Sequence, residues 1–365
     1  MTAGPSDEVD WLLDTCRSVL RGERPASAGE APADLDWREV ASIVATSRTA
    51  ALLGWAEAER LVRLPDWLAE TVAAGHHFNG SRFRLLHDEL VAVCATLPSD
   101  VRLIARKGVH LAALYPSPAT RALSDVDLLL HRDDEAATVE ALRQAGFVQG
   151  KLSDDGTTVE PVDRATLLFY RMGTGSLPPF YKRSPPRAPM EWIGIDLAID
   201  LGPPRLGSAP PVDEIWTARR MVPDVPLPVA SPTFLLVDLC MNLYLNNTTL
   251  RYVAAGRHRR LTPYLDLVAV IGEGIVWADA TEALRAYPAM VEPVHFALGN
   301  LERLFPGTIE PGVLAELRAL GAEPALLDVV GRLELAEPYV WTCGLHERMF
   351  GDAVPHGLPP ANVLL

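Results

Sequence analysis

Residues 107–130 read KGVHLAALYPSPATRALSDVDLLL. The end of this stretch, Asp125-Val126-Asp127 followed by three leucines, has the branched and apolar content of a strand. Residues two apart on a strand point to the same side, so the two carboxylates project together with Cα atoms roughly 6.5 Å apart. Carboxylates at that spacing can share hard cations. Magnesium takes carboxylate and phosphate oxygens in octahedral geometry, and two such ions about 4 Å apart can activate an attacking oxygen and stabilise a leaving pyrophosphate. Paired aspartates at a strand start are also a common solvated edge. Three neighbours favour the chemical reading. Lys107-Gly108 joins a short strand to a helix, where free N–H groups and a glycine can approach phosphate. Arg121, four residues before Asp125, can pair with a carboxylate or with a phosphate oxygen. Downstream, Asp196 lies between Ile195 and Leu197 on a second strand, so a third carboxylate can face the first two; Asp200 competes with it on the same face.

Outward from this stretch the texture changes twice. Residues 8–97 read as helices, with Pro25, Pro32 and Pro65 punctuating them and residues 22–35 as a loose connector. From Pro98 the pattern is mixed. Residues 101–105 read as a short strand, 109–115 as a helix, 125–130 as a strand, and 133–145 as a helix capped by Asp133 and stopped by Gly146. Residues 166–171 read as a strand, 173–189 as a Gly/Pro/Lys/Arg-rich loop, and 192–201 as a strand with Ile193, Ile195, Leu197 and Ile199 on one face. From about Ser231 the chain turns helical again to near Phe350, and the tail VPHGLPPANVLL reads as loop. Strands and helices mixed within about a hundred residues predict an α+β core at 99–205, with helical regions at 1–98 and 206–365.

Composition narrows the function. The 365 residues carry a formal net charge of −14. An acidic chain repels a phosphate backbone, so no long nucleic-acid partner is expected, while a small anion arriving with its own metal ion remains compatible. The four cysteines, at 16, 94, 240 and 343, form no CxxC pair, which argues against disulfides and a structural zinc. No basic leader and no membrane-length apolar run is present, which predicts a cytoplasmic protein without membrane contact.

The run KG-x2-L-x3-YP-x-P-x2-R-x3-D-x-D-L-L resembles the uncharacterised nucleotidyltransferase family of the DNA polymerase β-like superfamily. The resemblance extends upstream through DW-x-EVASIVATSRTAALLGWAEAE and downstream through LLLHRDDEAATVEALRQAGF to LTPYLDLVAVI, covering roughly residues 35–270. It implies a polymerase β-like core with a small mixed sheet. It also implies Mg2+, in a two-metal site, held by Asp125, Asp127 and, at the third acidic position, Asp196, which can alternatively serve as base. A nucleotidyl group, AMP from ATP, would pass to a hydroxyl or amine of a small-molecule or peptide acceptor. Lys107 and Gly108 stand where the superfamily has a Gly-Ser phosphate loop, and the third strand reads Asp196-Leu197-Ala198 where the family often has Asp-Leu-His. These departures keep open a catalytically degenerate binding or scaffold protein; a phosphotransferase, which shares the metal site and the substrate, is a further alternative. Lys182, Arg183 and Arg187 in the loop before the third acidic strand are either solvated or contacts for triphosphate or anionic acceptor.

Overall fold

A computed structural model describes residues 6–26, 32–355 and 357–359. Part of the expected connector (27–31) and part of the expected tail loop (356 and 360–365) lie outside the described residues. The chain forms two compact units. One takes in residues up to His77, Thr120–Ala122 and the chain from Leu239; the other takes in Phe78–Ala119 and Leu123–Asp238.

The first unit is built mainly from helices, with a small antiparallel pair, Val329–Val330 and Tyr339–Val340, in its C-terminal part. Asp7, Glu8 and Asp10 fill the first turn of α1 (Asp7–Leu20), where negative charge suits the helix dipole. Asp36 caps α2 (Trp37–Ser47), its carboxylate accepting from the Arg38 and Glu39 amides at 2.9 and 3.3 Å. Helix α3 (Ala50–Ala58) approaches α4 (Asp66–Cys94) at Gly54, where a Cβ would fall 2.2 Å from the Val72 carbonyl oxygen. Only a residue without a side chain permits that contact. Further helices, Pro232–Thr248, Thr262–Gly272 and Val291–Leu304 among them, follow in the C-terminal part.

The second unit carries a five-stranded mixed sheet: β1 (Leu103–Ala105), β2 (Val126–Leu130), β3 (Val148–Gln149), β4 (Phe180–Arg183) and β5 (Trp192–Ala198), ordered β1-β2-β5-β4-β3. Strands β2 and β5 run parallel at the centre, and the other pairs are antiparallel. Alternation along the chain explains its two faces. Val126, Leu128 and Leu130 of β2 and Ile193, Ile195 and Leu197 of β5 bury against Leu86, Leu90 and Val93 of α4. Each such side chain contributes about 1.5–3 kcal/mol on full burial. Asp125, Asp127 and Asp196 lie on the opposite face, which they share with the buried Leu129 and Ala198. The α+β class with a small mixed sheet is therefore as expected.

Local structure departs from the sequence reading in several places, the short strand pair within the C-terminal region read as helical among them. Residues 166–171 are not a strand but α7 (Arg164–Phe169), the seventh helix after α5 (Val109–Ala112) and α6 (Glu135–Gln144), and a π-helical turn, Tyr170–Thr174, continues it. Asp163 caps α7 by accepting the Thr166 amide at 2.7 Å, and Leu167-Leu168-Phe169 has no polar alternation to hold a sheet. Lys182 and Arg183 lie on β4 rather than in a loop, because Phe180 is fully buried and its strand pairs with β5. Asp133 does not cap α6. A 3-10 turn, Arg132–Asp134, precedes that helix, and the imidazole Nδ1 of His131 accepts the Asp133 amide at 3.2 Å. The helix expected at 109–115 is the single turn of α5.

Candidate active site

The parallel ladder sets Asp127 directly opposite Asp196, and Val126 opposite Ile195. Continued one step, this register brings Asp125 beside Gly194, where a Cβ would lie 3.7 Å from the Asp125 Cβ and 3.5 Å from the Tyr181 ring. Asp125, Asp127 and Asp196 therefore share one face of two adjacent strands, with Asp196 exposed and Asp125 and Asp127 half-buried. Gly194 leaves room for the Asp125 side chain. Tyr181, opposite Gly194 on β4, lies over that space.

The backbone around the aspartates is tied down. The Arg106 amide donates to the Asp127 carbonyl at 3.0 Å, joining the end of β1 to β2. Gly108, at φ +57°, would bring a Cβ to 3.3 Å from the Asp125 carbonyl, so the Lys107-Gly108 turn lies against the aspartate strand. The Lys107 ammonium stands 3.5 Å from an Asp127 carboxylate oxygen, and the Ser124 hydroxyl donates to Asp125 at 3.1 Å.

Charge shapes the rest of the face. Burial pushes the Tyr181 phenol up to about 12, and the negative charges of Asp196 and Asp125 add to it. Arg106 is enclosed, its guanidinium held by Asp238 and by the Leu201 carbonyl at 3.1 Å, and Asp127 and Asp200 lie within its electrostatic reach. Asp200 has its carboxyl raised by burial, against hydrogen bonding from the Leu201 amide. It lines an open cleft of about 580 Å³ with His131, Arg132 and Pro204.

Lys107, Gly108, Asp125, Asp127 and Asp196 are thus gathered in the structure. The other expected contacts are engaged elsewhere. The Arg121 fork pairs with Asp266 at 2.7 and 2.8 Å, both side chains buried. Lys182 turns to the apolar side of the sheet, 2.5 Å from Glu89 and over the Phe147 ring. Arg183 pairs with Glu191 at 2.8 Å and stacks on Trp192. Tyr181 and Arg106 were not among the expected residues. Tyr181 acquires its place only through strand register, whereas Arg106, beside Lys107, could have been found as a second cation at the end of a strand.

The donor set is all carboxylate oxygen, which suits Mg2+ rather than a softer ion. Among the described residues no group of three or more His, Cys, Asp or Glu converges into a ligand cluster. Like charges on neighbouring rungs repel, and a cation between them is what would pull them inward. In donor type and strand position the three carboxylates suit such an ion, while their side chains as placed form no ligand cluster.

A small mixed sheet within a largely helical chain, its carboxylates aligned on two central parallel strands, has the architecture of a nucleotidyltransferase fold. The sequence pattern of the uncharacterised nucleotidyltransferase family matches residues 33–306, well over half of the chain, and the chain belongs to that family. No curated protein matches it, and no solved structure does. No described helix is long and apolar enough to cross a membrane.

Proposed function

We propose that this chain is a magnesium-dependent nucleotidyltransferase that moves AMP from ATP to a hydroxyl or amine of a small-molecule or peptide acceptor. The register of Asp127 against Asp196, with Asp125 one step away on the same face, is the observation that carries the reading. Asp125, Asp127 and Asp196 would hold Mg2+, which supplies charge neutralisation to the reacting phosphate. Lys107 and the Gly108 turn present a cation and close-approaching backbone to the triphosphate. In its alternative role as base rather than ligand, Asp196, the exposed member of the three, accepts the acceptor's proton as the acceptor's oxygen or nitrogen bonds to the α-phosphorus and the bond to pyrophosphate breaks. The net charge of −14 favours an acceptor that is not a long polyanion.

A second reading has its own observation. Lys107 sits against Asp127 and the three carboxylates do not converge on a common point, as in a fold kept for binding rather than transfer. Pyrophosphate release from ATP with candidate acceptors, alongside calorimetry of MgATP binding, separates the two. Binding without turnover across acceptors favours the binding module; mass spectrometry of the product distinguishes an added nucleotide from an added phosphate.

A further inference from the structure

A row of residues crosses the carboxylate face of the sheet. Strand pairing sets Val148 of β3 opposite Tyr181 of β4, and Tyr181 opposite Gly194 of β5; the parallel register, continued one step, sets Gly194 beside Asp125. Cross-strand partners point to the same side of a sheet, so the Tyr181 ring stands on the face of Asp125 and Asp196. Its neighbours Phe180 and Lys182 turn the other way, Phe180 into the core and Lys182 to Glu89 of α4. Gly194 leaves a gap in the row. It lies within β5 and its φ is not positive, so the backbone itself does not call for glycine there. A glycine inside a strand often marks a place where another group approaches closely. Here a Cβ would lie 3.5 Å from Tyr181 Cε1 and 3.7 Å from the Asp125 Cβ. The ring edge and the aspartate thus flank one Cβ-sized space, and Gly194 is buried although Asp196, two residues on, is exposed.

The strand order β1-β2-β5-β4 puts the carboxylates of β2 and β5 between two donors: Lys107, just past the end of β1, and Tyr181 on β4. The phenol oxygen is carried one carbon beyond Cε1, at the border of the Asp125 side chain. Burial keeps that phenol protonated at neutral pH, so it donates a hydrogen bond without adding a charge. A second ammonium among three carboxylates would be drawn into an ion pair, as Lys107 is with Asp127. A neutral donor is suited to an anion that arrives with its own metal ion. We propose that Tyr181 is a substrate-contacting residue of the carboxylate site, its phenol donating a hydrogen bond to a phosphate oxygen of the bound triphosphate. This contact rests on the nucleotide reading above and extends it to the β4 side of the site.

Calorimetry on the full chain with two probes, magnesium tripolyphosphate and Mg2+ alone, tests it on the wild type and on Tyr181→Phe, which keeps the ring and loses only the hydroxyl. The variant is expected to melt as the wild type does and to bind Mg2+ as before. It is expected to bind tripolyphosphate about tenfold more weakly, in line with the loss of one hydrogen bond to a charged acceptor. Unchanged tripolyphosphate affinity overturns the contact and leaves the nucleotide site standing. An equal loss of Mg2+ binding also overturns it, making Tyr181 a support for Asp125 rather than a partner of phosphate. Gly194→Val is a second test that keeps the hydroxyl, since its methyl groups would enter the space between ring and aspartate and displace the phenol. A Gly194→Val protein that melts normally is expected to lose tripolyphosphate affinity as well, and wild-type affinity there overturns the contact. A wild type that binds neither probe overturns both the contact and the nucleotide reading beneath it.

Discussion

Lys107 and Arg121 come from the same stretch of sequence, and each meets a carboxylate. In the second unit the Lys107 ammonium stands 3.5 Å from Asp127, and the two side chains keep 13% and 23% of their exposure. In the first unit Arg121 grips Asp266 with both arms of its fork, at 8% and 4% exposure. Solvent and an incoming phosphate can compete for the first pair. The second is closed off, and breaking it strands a charge in the interior. The Arg121–Asp266 pair in the helical unit is thus sealed into the fold, whereas the Lys107–Asp127 pair on the sheet face stays within reach of solvent.

The largest expected effect is on stability. Arg121→Met leaves Asp266 buried without its guanidinium and should cost about 3–5 kcal/mol in urea unfolding. If that variant unfolds like the wild type but loses turnover, the contrast fails and Arg121 belongs with the site. Asp127→Asn should do the reverse. Its volume is nearly unchanged, so the melting temperature stays close to wild type, while pyrophosphate release falls at least about a hundredfold. Near-normal turnover would remove Asp127 from the proposed ligands.

A smaller effect separates the units by pH. Burial, with Arg259 nearby, pushes the His258 imidazole in the first unit down to about 4 from an ordinary 6.5. The unfolded chain then binds the proton more readily than the folded one. The resulting stability is complete above pH 6.5, falls as the pH drops towards 4, and should be reduced by about 2 kcal/mol at pH 5. Urea titrations at pH 7.5 and 5 on the wild type and on His258→Leu check this, since the variant should lack that component of the slope. The smallest effect concerns Lys107→Met, which should weaken tripolyphosphate binding about tenfold while changing stability by less than about 1 kcal/mol, as for a partly exposed pair. Unaltered phosphate binding would turn Lys107 into a partner for Asp127 alone.

The central strands were legible because alternation survives in them. Ile193, Ile195 and Leu197 repeat every second residue, with Asp196 between them, and the structure buries the first three and exposes the fourth. Pairing Asp125 with Asp127 needed only the strand period. The strand expected at 166–171 failed because a local cap at Asp163 outweighed the apolar content that followed. Pairing with a carboxylate was one of the two readings of Arg121, but which carboxylate was not legible: Asp266 lies 145 residues away and nothing local announces it. Tyr181 escaped notice for a related reason, since its neighbours Gly194 and Asp125 are set by strand pairing.

That separation also has a consequence in time. Arg121 leaves the ribosome well before Asp266 is made. At about 5–20 residues per second, 145 residues correspond to a wait of roughly 7–30 s. Throughout it the nascent helices of the first unit lack both their C-terminal partners and the counter-charge that completes them. Slowing translation between codons 121 and 266 would lengthen the interval in which that half-built surface meets chaperones and proteases, with no change to the finished protein.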